Sequence, residues 1–273
     1  QFATLLHNPP DADLAKDSFC LGDVIKFDAV LSVPQGYLNY FWDMGDGNTL
    51  NMTVNSHNYT YTKSGAFTVK LVVTDTLGCV DSIQRNIYVD EKGYASFSIL
   101  DDTLCVGEPL FLRDSLVGLT DHFTWNFGDG SNPLYDIHNP VYTYSHGQTY
   151  TVTLTAEYRV CPDQSTSKNV YVYDYPLIHL GADTSICPGL TGAIELSDPD
   201  KVNANTLLWS TGETSSSILV TQPGYYWVKA WNGSCVTTDS IWIRRDCYLN
   251  IPNAFSPNTD GLNDYFLPRE LLS

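Results

Sequence analysis

Seven cysteines and two glycine-aspartate-glycine turns carry the chemistry that can be read from this 273-residue chain. The cysteines follow a repeat. Cys20, Cys105 and Cys187 precede Trp42, Trp125 and Trp209 by 22, 20 and 22 residues; Cys79, Cys161 and Cys235 follow the same tryptophans by 37, 36 and 26. Thiols placed this way predict one disulfide inside each module and an oxidising, extracytoplasmic compartment. Each such bridge would close a loop of about 50–60 residues and contribute on the order of 4 kcal/mol by restricting the unfolded chain. Buried free thiols are the alternative reading. Zinc ligation fails for want of a C-x-x-C pair and of histidines at ligand spacing. Cys247 is left over, its partner expected beyond the present C-terminus.

Oxygen ligation is the second candidate chemistry. Asn258, Asp260, Asn263 and Asp264 surround Gly261 and are candidate calcium ligands, although their spacing is not that of an EF-hand. An Asx-rich turn held by its own side-chain-to-backbone bonds is the competing and weightier reading. Asp43, Asp46 and Asp129 are weaker calcium candidates, because Asn126 stands where Asp43 does in the first copy. Among six histidines, His57-Asn58 and His138-Asn139 recur at one repeat position, which predicts a turn or edge role. There is no G-x-S-x-G elbow, H-E-x-x-H, phosphate loop or dinucleotide fingerprint. Any acid–base pair picked from 31 carboxylates would be arbitrary. The expectation is a non-catalytic chain with no cofactor other than calcium.

The elements that must hold these groups are strands. The three tryptophans are spaced by 83 and 84 residues, a period suited to a small all-β domain and too long for one solenoid unit. Aromatics reach 13 %, and Thr, Val and Tyr crowd the periodic stretches. In the first module Val24–Val30, Leu38–Trp42, Asn58–Tyr61, Phe67–Val73 and Ile83–Val89 are expected strands, with Phe67, Val69, Leu71 and Val73 on one face. The second repeats this with Pro109–Arg113, Phe123–Phe127, Tyr142–Tyr144, Tyr150–Ala156 and Asn169–Tyr173. The third runs Ala193–Leu196, Leu207–Trp209, Ser217–Val220, Tyr225–Trp231 and Ser240–Ile243. No stretch shows a 3.6-residue period.

Bulk charge narrows the partners. The formal net charge is −17, which disfavours nucleic acid and simple adsorption to anionic membranes. No apolar run approaches the ~20 residues of a membrane-spanning helix. The opening Gln1-Phe2-Ala3 has no start methionine or signal peptide, so a piece of a longer or processed chain is expected.

Trp42-Asp43-Met44-Gly45-Asp46-Gly47 and Trp125-Asn126-Phe127-Gly128-Asp129-Gly130 resemble the W-D-F-G-D-G motif of PKD (polycystic kidney disease) domains. Tyr59-Thr60-Tyr61 with Gly65 to Val69, and Tyr142-Thr143-Tyr144 with Gly147 and Tyr150 to Val152, are similar to that family's continuation. In the third module Trp209-Ser210-Thr211-Gly212-Glu213-Thr214 departs from the motif and is read as Ig-like. The expected fold is therefore all-β, tandem Ig-like/PKD β-sandwich domains in an extended rod. Expected boundaries are 1–92, 93–174 and 175–245, followed by 246–273 as the start of another domain. Asp90 to Gly93 and Asp174 to Pro176 are short linkers that limit swivelling. The resemblance implies non-catalytic spacer or binding units.

Pro252, Asn253, Phe255, Pro257, Asn258, Asp260, Gly261, Asn263, Asp264 and Phe266 match the fixed positions of the gliding-motility-associated C-terminal domain of Bacteroidetes surface proteins. That resemblance covers about 20 residues. It implies type IX secretion, and a PorP/SprF-type outer-membrane β-barrel protein as partner. Asp-Ser/Thr-aliphatic triplets at Thr76, Ser82, Thr103, Ser115 and Ser240 resemble the O-glycosylation sequon of Bacteroidetes secreted proteins. In Tyr225–Trp231, alternation separates Tyr225, Trp227 and Trp231 from Tyr226, Val228 and Ala230. One set is core; the other packs on a module or stacks on surface polysaccharide. The expected function is a cell-surface stalk, in a gliding-associated adhesin. The alternatives are a carbohydrate-binding or spacer appendage of a secreted hydrolase.

Overall fold

The computed structural model describes residues 11–13, 16–30, 37–75, 78, 80–189, 192–197 and 204–247. Among them there is no helix, and the strands fall into three pairs of sheets. The first module contains β1 (Asp11–Asp13), β2 (Ser18–Cys20), β3 (Ile25–Val30), β4 (Tyr37–Asp43), β5 (Thr49–Met52), β6 (Ser56–Tyr59), β7 (Gly65–Asp75) and β8 (Val80–Asp90). One sheet has the order β1-β3-β6, the other β2-β8-β7-β4-β5. Alternation on β7 buries Val69, Leu71 and Val73 against Trp42, Phe27 and Ile87, with Phe67 at the margin, as the period-2 pattern requires.

The second module contains β9 (Tyr94–Ile99), β10 (Thr103–Cys105), β11 (Pro109–Val117), β12 (Thr120–Asn126), β13 (Leu134–Tyr135), β14 (Val141–Thr143), β15 (Thr149–Tyr158) and β16 (Gln164–Tyr173). Its sheets, β14-β11-β9 and β10-β16-β15-β12-β13, repeat the order of the first module. The third holds β17 (Thr184–Ile186), β18 (Ile194–Ser197), β19 (Thr206–Trp209), β20 (Ser217–Val220), β21 (Gly224–Asn232) and β22 (Cys235–Arg245), in the sheets β17-β22-β21-β19 and β18-β20. Trp209, Val228, Ile241 and Ile243 anchor its core. This is a tandem array of β-sandwiches.

By compactness the chain divides into two units. One is Gln1–Leu100, Phe111–Val141 and Tyr150–Asn169; the other is Asp101–Leu110, Tyr142–Thr149 and Val170–Ser273. The strands of the second module are thus shared between the units.

Each module has, near its start, a three-residue strand that the sequence reading missed. β2, β10 and β17 run parallel to the last residues of β8, β16 and β22, with Cys20 opposite Asp90, Cys105 opposite Tyr173, and Ile186 opposite Arg245. Each is three residues long, below the length at which alternation becomes a pattern. They place the first cysteine of every module beside that module's exit.

Candidate functional sites

The Gly-Asp-Gly turns are built by side-chain-to-backbone bonds. Gly45 N donates to Asp43 Oδ1 at 3.0 Å, and Gly128 N donates to Asn126 Oδ1 at 2.8 Å. An amide and a carboxylate do the same work here, so the position needs an acceptor and not a charge. Asp46 Oδ1 accepts from Asn48 N, and Asp129 Oδ1 from Ser131 N, each at 3.0 Å. Gly45 (φ +77°) and Gly128 (φ +76°) each lie against the opposite strand. A Cβ there would come within 2.7 Å of Thr68 O and Thr151 O respectively. Only glycine fits.

The two tyrosines of the Tyr-Thr-Tyr stretch lock this turn. Tyr59 Oη donates to Asp46 Oδ2 at 2.8 Å, and the buried Tyr61 Oη donates to Met44 O at 2.8 Å. Tyr61 stacks on Phe67 with centroids 4.4 Å apart. Burial, aided by the Asp46 charge, pushes the Tyr61 phenol well above its ordinary range. Burial would raise the Asp46 carboxyl, but bonds from Asn48 N–H and Tyr59 outweigh it and hold that group below the usual value. The two motif halves that define the family resemblance are therefore one hydrogen-bonded unit.

The repeated histidines diverge. His57 packs its ring on Phe27 (5.4 Å) and meets Trp42 edge-on (5.0 Å), and burial lowers its pKa against the pull of Asp28. His138 instead bonds Asp114 at 2.6 Å from an exposed position. Trp125 Nε1 donates to Ile137 O and Trp209 Nε1 to Ser215 O. Trp42 Nε1 is buried with no hydrogen-bond partner.

The disulfides overturn the expectation of one bridge per module. Cys20 bonds Cys161, Cys105 bonds Cys235, and Cys187 bonds Cys247, whose partner was expected beyond the C-terminus. The geometry of the last strand explains this. Cys20 lies beside Asp90 at the end of β8, whereas Cys79 precedes Val80 at its start. Eleven residues of extended strand separate those ends by roughly 33 Å, far beyond the reach of a disulfide. Cys105 and Cys161 flank β16 in the same way. The first-strand cysteine therefore reaches the hairpin cysteine of the following module. Cys187 reaches Cys247 because both follow the parallel pair β17/β22. Cys79 itself lies outside the described residues, as do Thr76 and all the candidate residues from Pro252 to Phe266, the calcium candidates Asn258, Asp260, Asn263 and Asp264 among them.

Around the first of these bridges, the linker carboxylate Asp90 is buried and held by Arg159, whose Nε lies 3.0 Å from Oδ2 while Nη2 reaches Oδ1. Arg159 also lies over the Tyr88 ring. In the other unit, Asp174 plays the matching part. Its Oδ1 accepts from Gly147 N at 2.9 Å, and its carbonyl accepts from Asn232 Nδ2 at 2.9 Å, beside Cys105–Cys235. The pairing of Asp90 with Arg159 and of Asp174 with Asn232 had no sequence signal, since the partners lie 69 and 58 residues apart in different modules.

The third module carries an aromatic strip. Val228 and Ala230 are buried, so Tyr225, Trp227 and Trp231 take the outward face of β21. Register sets Tyr225 opposite Trp242, their rings 5.1 Å apart and each about half exposed. Lys229 Nζ lies 5.5 Å from the Trp227 ring centre. Trp242 was missed because a lone aromatic in Ile241-Trp242-Ile243 reads as core. A groove of about 450 Å³ beside Leu100, Phe111 and Arg113 brings no acid and base together. Among the described residues no cluster of three or more His, Cys, Asp or Glu is placed to hold a metal.

Residues 7–90 match the PKD domain family. Among solved structures, the chain is similar to the three Ig domains I67–I69 of titin, at 14 % identity and a TM-score of 0.54, covering 88 % of this chain and 99 % of that one. It is also similar to the eight N-terminal Ig domains of the Down Syndrome Cell Adhesion Molecule, at 16 % identity and a TM-score of 0.55, covering 88 % of this chain and 37 % of that one. The PKD1 domain of the Vibrio cholerae metalloprotease PrtV aligns at 30 % identity over 29 % of this chain and 93 % of that one, with a TM-score of 0.25. Disulfides together with Ig- and PKD-type sandwiches resemble the make-up of extracellular proteins. Residues 7–90 are thus similar to a PKD domain, and the described chain as a whole is a tandem array of Ig-like β-sandwiches.

Proposed function

We propose that this chain is a non-catalytic stalk of a type IX-secreted surface protein, a gliding-associated adhesin that presents distal domains away from the cell. The observation that carries the reading is the pattern of bridges, which tie each module to the next instead of closing it on itself. A linker carboxylate fixed at each bridge serves the same end. A catalytic protein gains little from stiffened joints; a spacer gains reach. The resemblance of residues 251–266 to the gliding-associated C-terminal domain supplies the export address and the outer-membrane β-barrel partner of the PorP/SprF type. Deleting residues 246–273 from the protein in its host, followed by protease shaving of intact cells, tests that address. Loss of surface exposure is expected; undiminished display would overturn it. Small-angle scattering of the isolated chain tests the stalk, which a compact particle would refute.

A second reading, glycan binding, is favoured by the outward aromatic strip of Tyr225, Trp227 and Trp242. Aromatic rings on an outward sheet face, here the half-exposed Tyr225 and Trp242 beside the partly exposed Trp227, can stack against sugar faces. Binding on a glycan array that disappears in a Tyr225→Ala/Trp242→Ala variant would establish it, and silence on the array would remove it.

A further inference from the structure

We propose that two of the three disulfides, Cys20–Cys161 and Cys187–Cys247, form a covalent load path that bypasses most of the folded sandwiches, so that tension along the chain cannot lengthen it by unfolding the strands they enclose. The inference turns on connectivity alone. A pull entering at the N-terminus reaches Cys20 and crosses to Cys161, which takes 141 residues out of the path. It then follows the backbone to Cys187 and crosses to Cys247, which removes another 60. Between Cys20 and Cys247 only the stretch from Cys161 to Cys187 bears the load as backbone, roughly 90 Å when fully extended.

Bridges internal to each module, as the sequence first suggested, would have left the strands outside every loop open to extraction. The observed pairing leaves the whole of β3–β15 inside one closed loop and β18–β22 inside another. The Cys105–Cys235 bridge has a separate part. Cys105 lies within the first loop and Cys235 within the last, so this bridge carries no load while the other two are intact. If Cys20–Cys161 is cut, it becomes the shortest route and still withholds 130 residues. The overlap makes it a reserve.

The stalk reading gives this device its use, but the test does not depend on it. The oxidised chain is pulled in an optical trap by handles at Gln1 and Ser273, first without and then with a phosphine reductant. Without reductant, the strands inside the two loops, β3–β15 and β18–β22, are expected to release no length, and any gain is limited to the Cys161–Cys187 stretch, which includes β16, and to the segments outside Cys20 and Cys247. With reductant, about 700 Å of additional contour should appear. A Cys20→Ser/Cys161→Ser variant should release roughly 250 Å more than the oxidised parent. A Cys105→Ser/Cys235→Ser variant should match the parent. Full extension of the oxidised parent would overturn the proposal, as would a gain in length from losing Cys105–Cys235. Peptide mapping without reduction checks that each variant keeps its remaining bridges, so a misfolded or reshuffled sample is recognised and its trace replaced by one from the correctly bridged fraction. A negative result would leave export and shape untouched, since those are read by shaving and scattering.

Discussion

Arg159 closes on the carboxylate of Asp90 across 69 residues of sequence, joining the end of β15 to the end of β8. Asp90 is 6 % exposed, while the arginine side chain keeps 42 % of its surface in water. The pair is thus desolvated on one side only. Arg159→Met should leave a buried carboxylate with one fewer donor pair and cost about 1–3 kcal/mol, less than a fully buried pair because solvent screens the guanidinium. Asp90→Asn should cost less, as the amide oxygen still accepts. Urea denaturation of both variants, compared at equal slope, decides the order.

The two motif glycines should respond more strongly than their neighbours. Gly45→Ala meets both a positive φ and the Thr68 backbone at 2.7 Å, so it should destabilise the first module by more than about 2 kcal/mol. Gly47 also has a positive φ, of +94°, but a Cβ there would meet nothing within 4 Å. Gly47→Ala should therefore cost only about 1–2 kcal/mol. The contrast between the two midpoints separates steric contact from backbone conformation.

Two histidines should titrate in opposite directions. Burial lowers the pKa of His57, so below its unfolded value of about 6.5 the unfolded chain binds the extra proton and the first module loses stability as pH falls. His122 is raised by its hydrogen bond to Asp136 and by that carboxylate's charge. Its contribution is present below about 6.5 and is lost as pH rises through its folded value. Histidine ring resonances followed by NMR should move below 6.5 for one and above it for the other. His57→Phe should remove the loss of stability between pH 7 and 5 attributable to that ring.

The strands with several alternating positions were legible from sequence because burial on β7 and β15 follows a strict period of two. The tryptophan repeat located the modules for the same reason: Trp42, Trp125 and Trp209 are each almost wholly buried. Cysteine pairing was not legible. Even spacing suggested a bridge within each repeat, but spacing reports sequence distance, while the parallel pairing of β2 with β8 decides which cysteines meet. That pairing rests on three residues, too few to carry a hydrophobic period. The outward turn of Tyr225 and Trp227 was ambiguous too, since both faces of β21 bear aromatic residues. What settled it was the small Ala230 and Val228 filling the core side.

That assignment of faces makes the final prediction. Tyr225 and Trp242 form a cross-strand pair on the solvent face, and such pairs contribute roughly 0.2–1 kcal/mol. Tyr225→Ala and Trp242→Ala should each shift stability by no more than about that amount. Ile241 neighbours Trp242 in sequence but points into the core at 3 % exposure, so Ile241→Ala should cost about 2–5 kcal/mol. Iodide should quench the fluorescence of Trp242 while leaving Trp209, at 1 % exposure, protected. Equal penalties for Trp242→Ala and Ile241→Ala would place the tryptophan in the core and remove the platform on which glycan stacking depends.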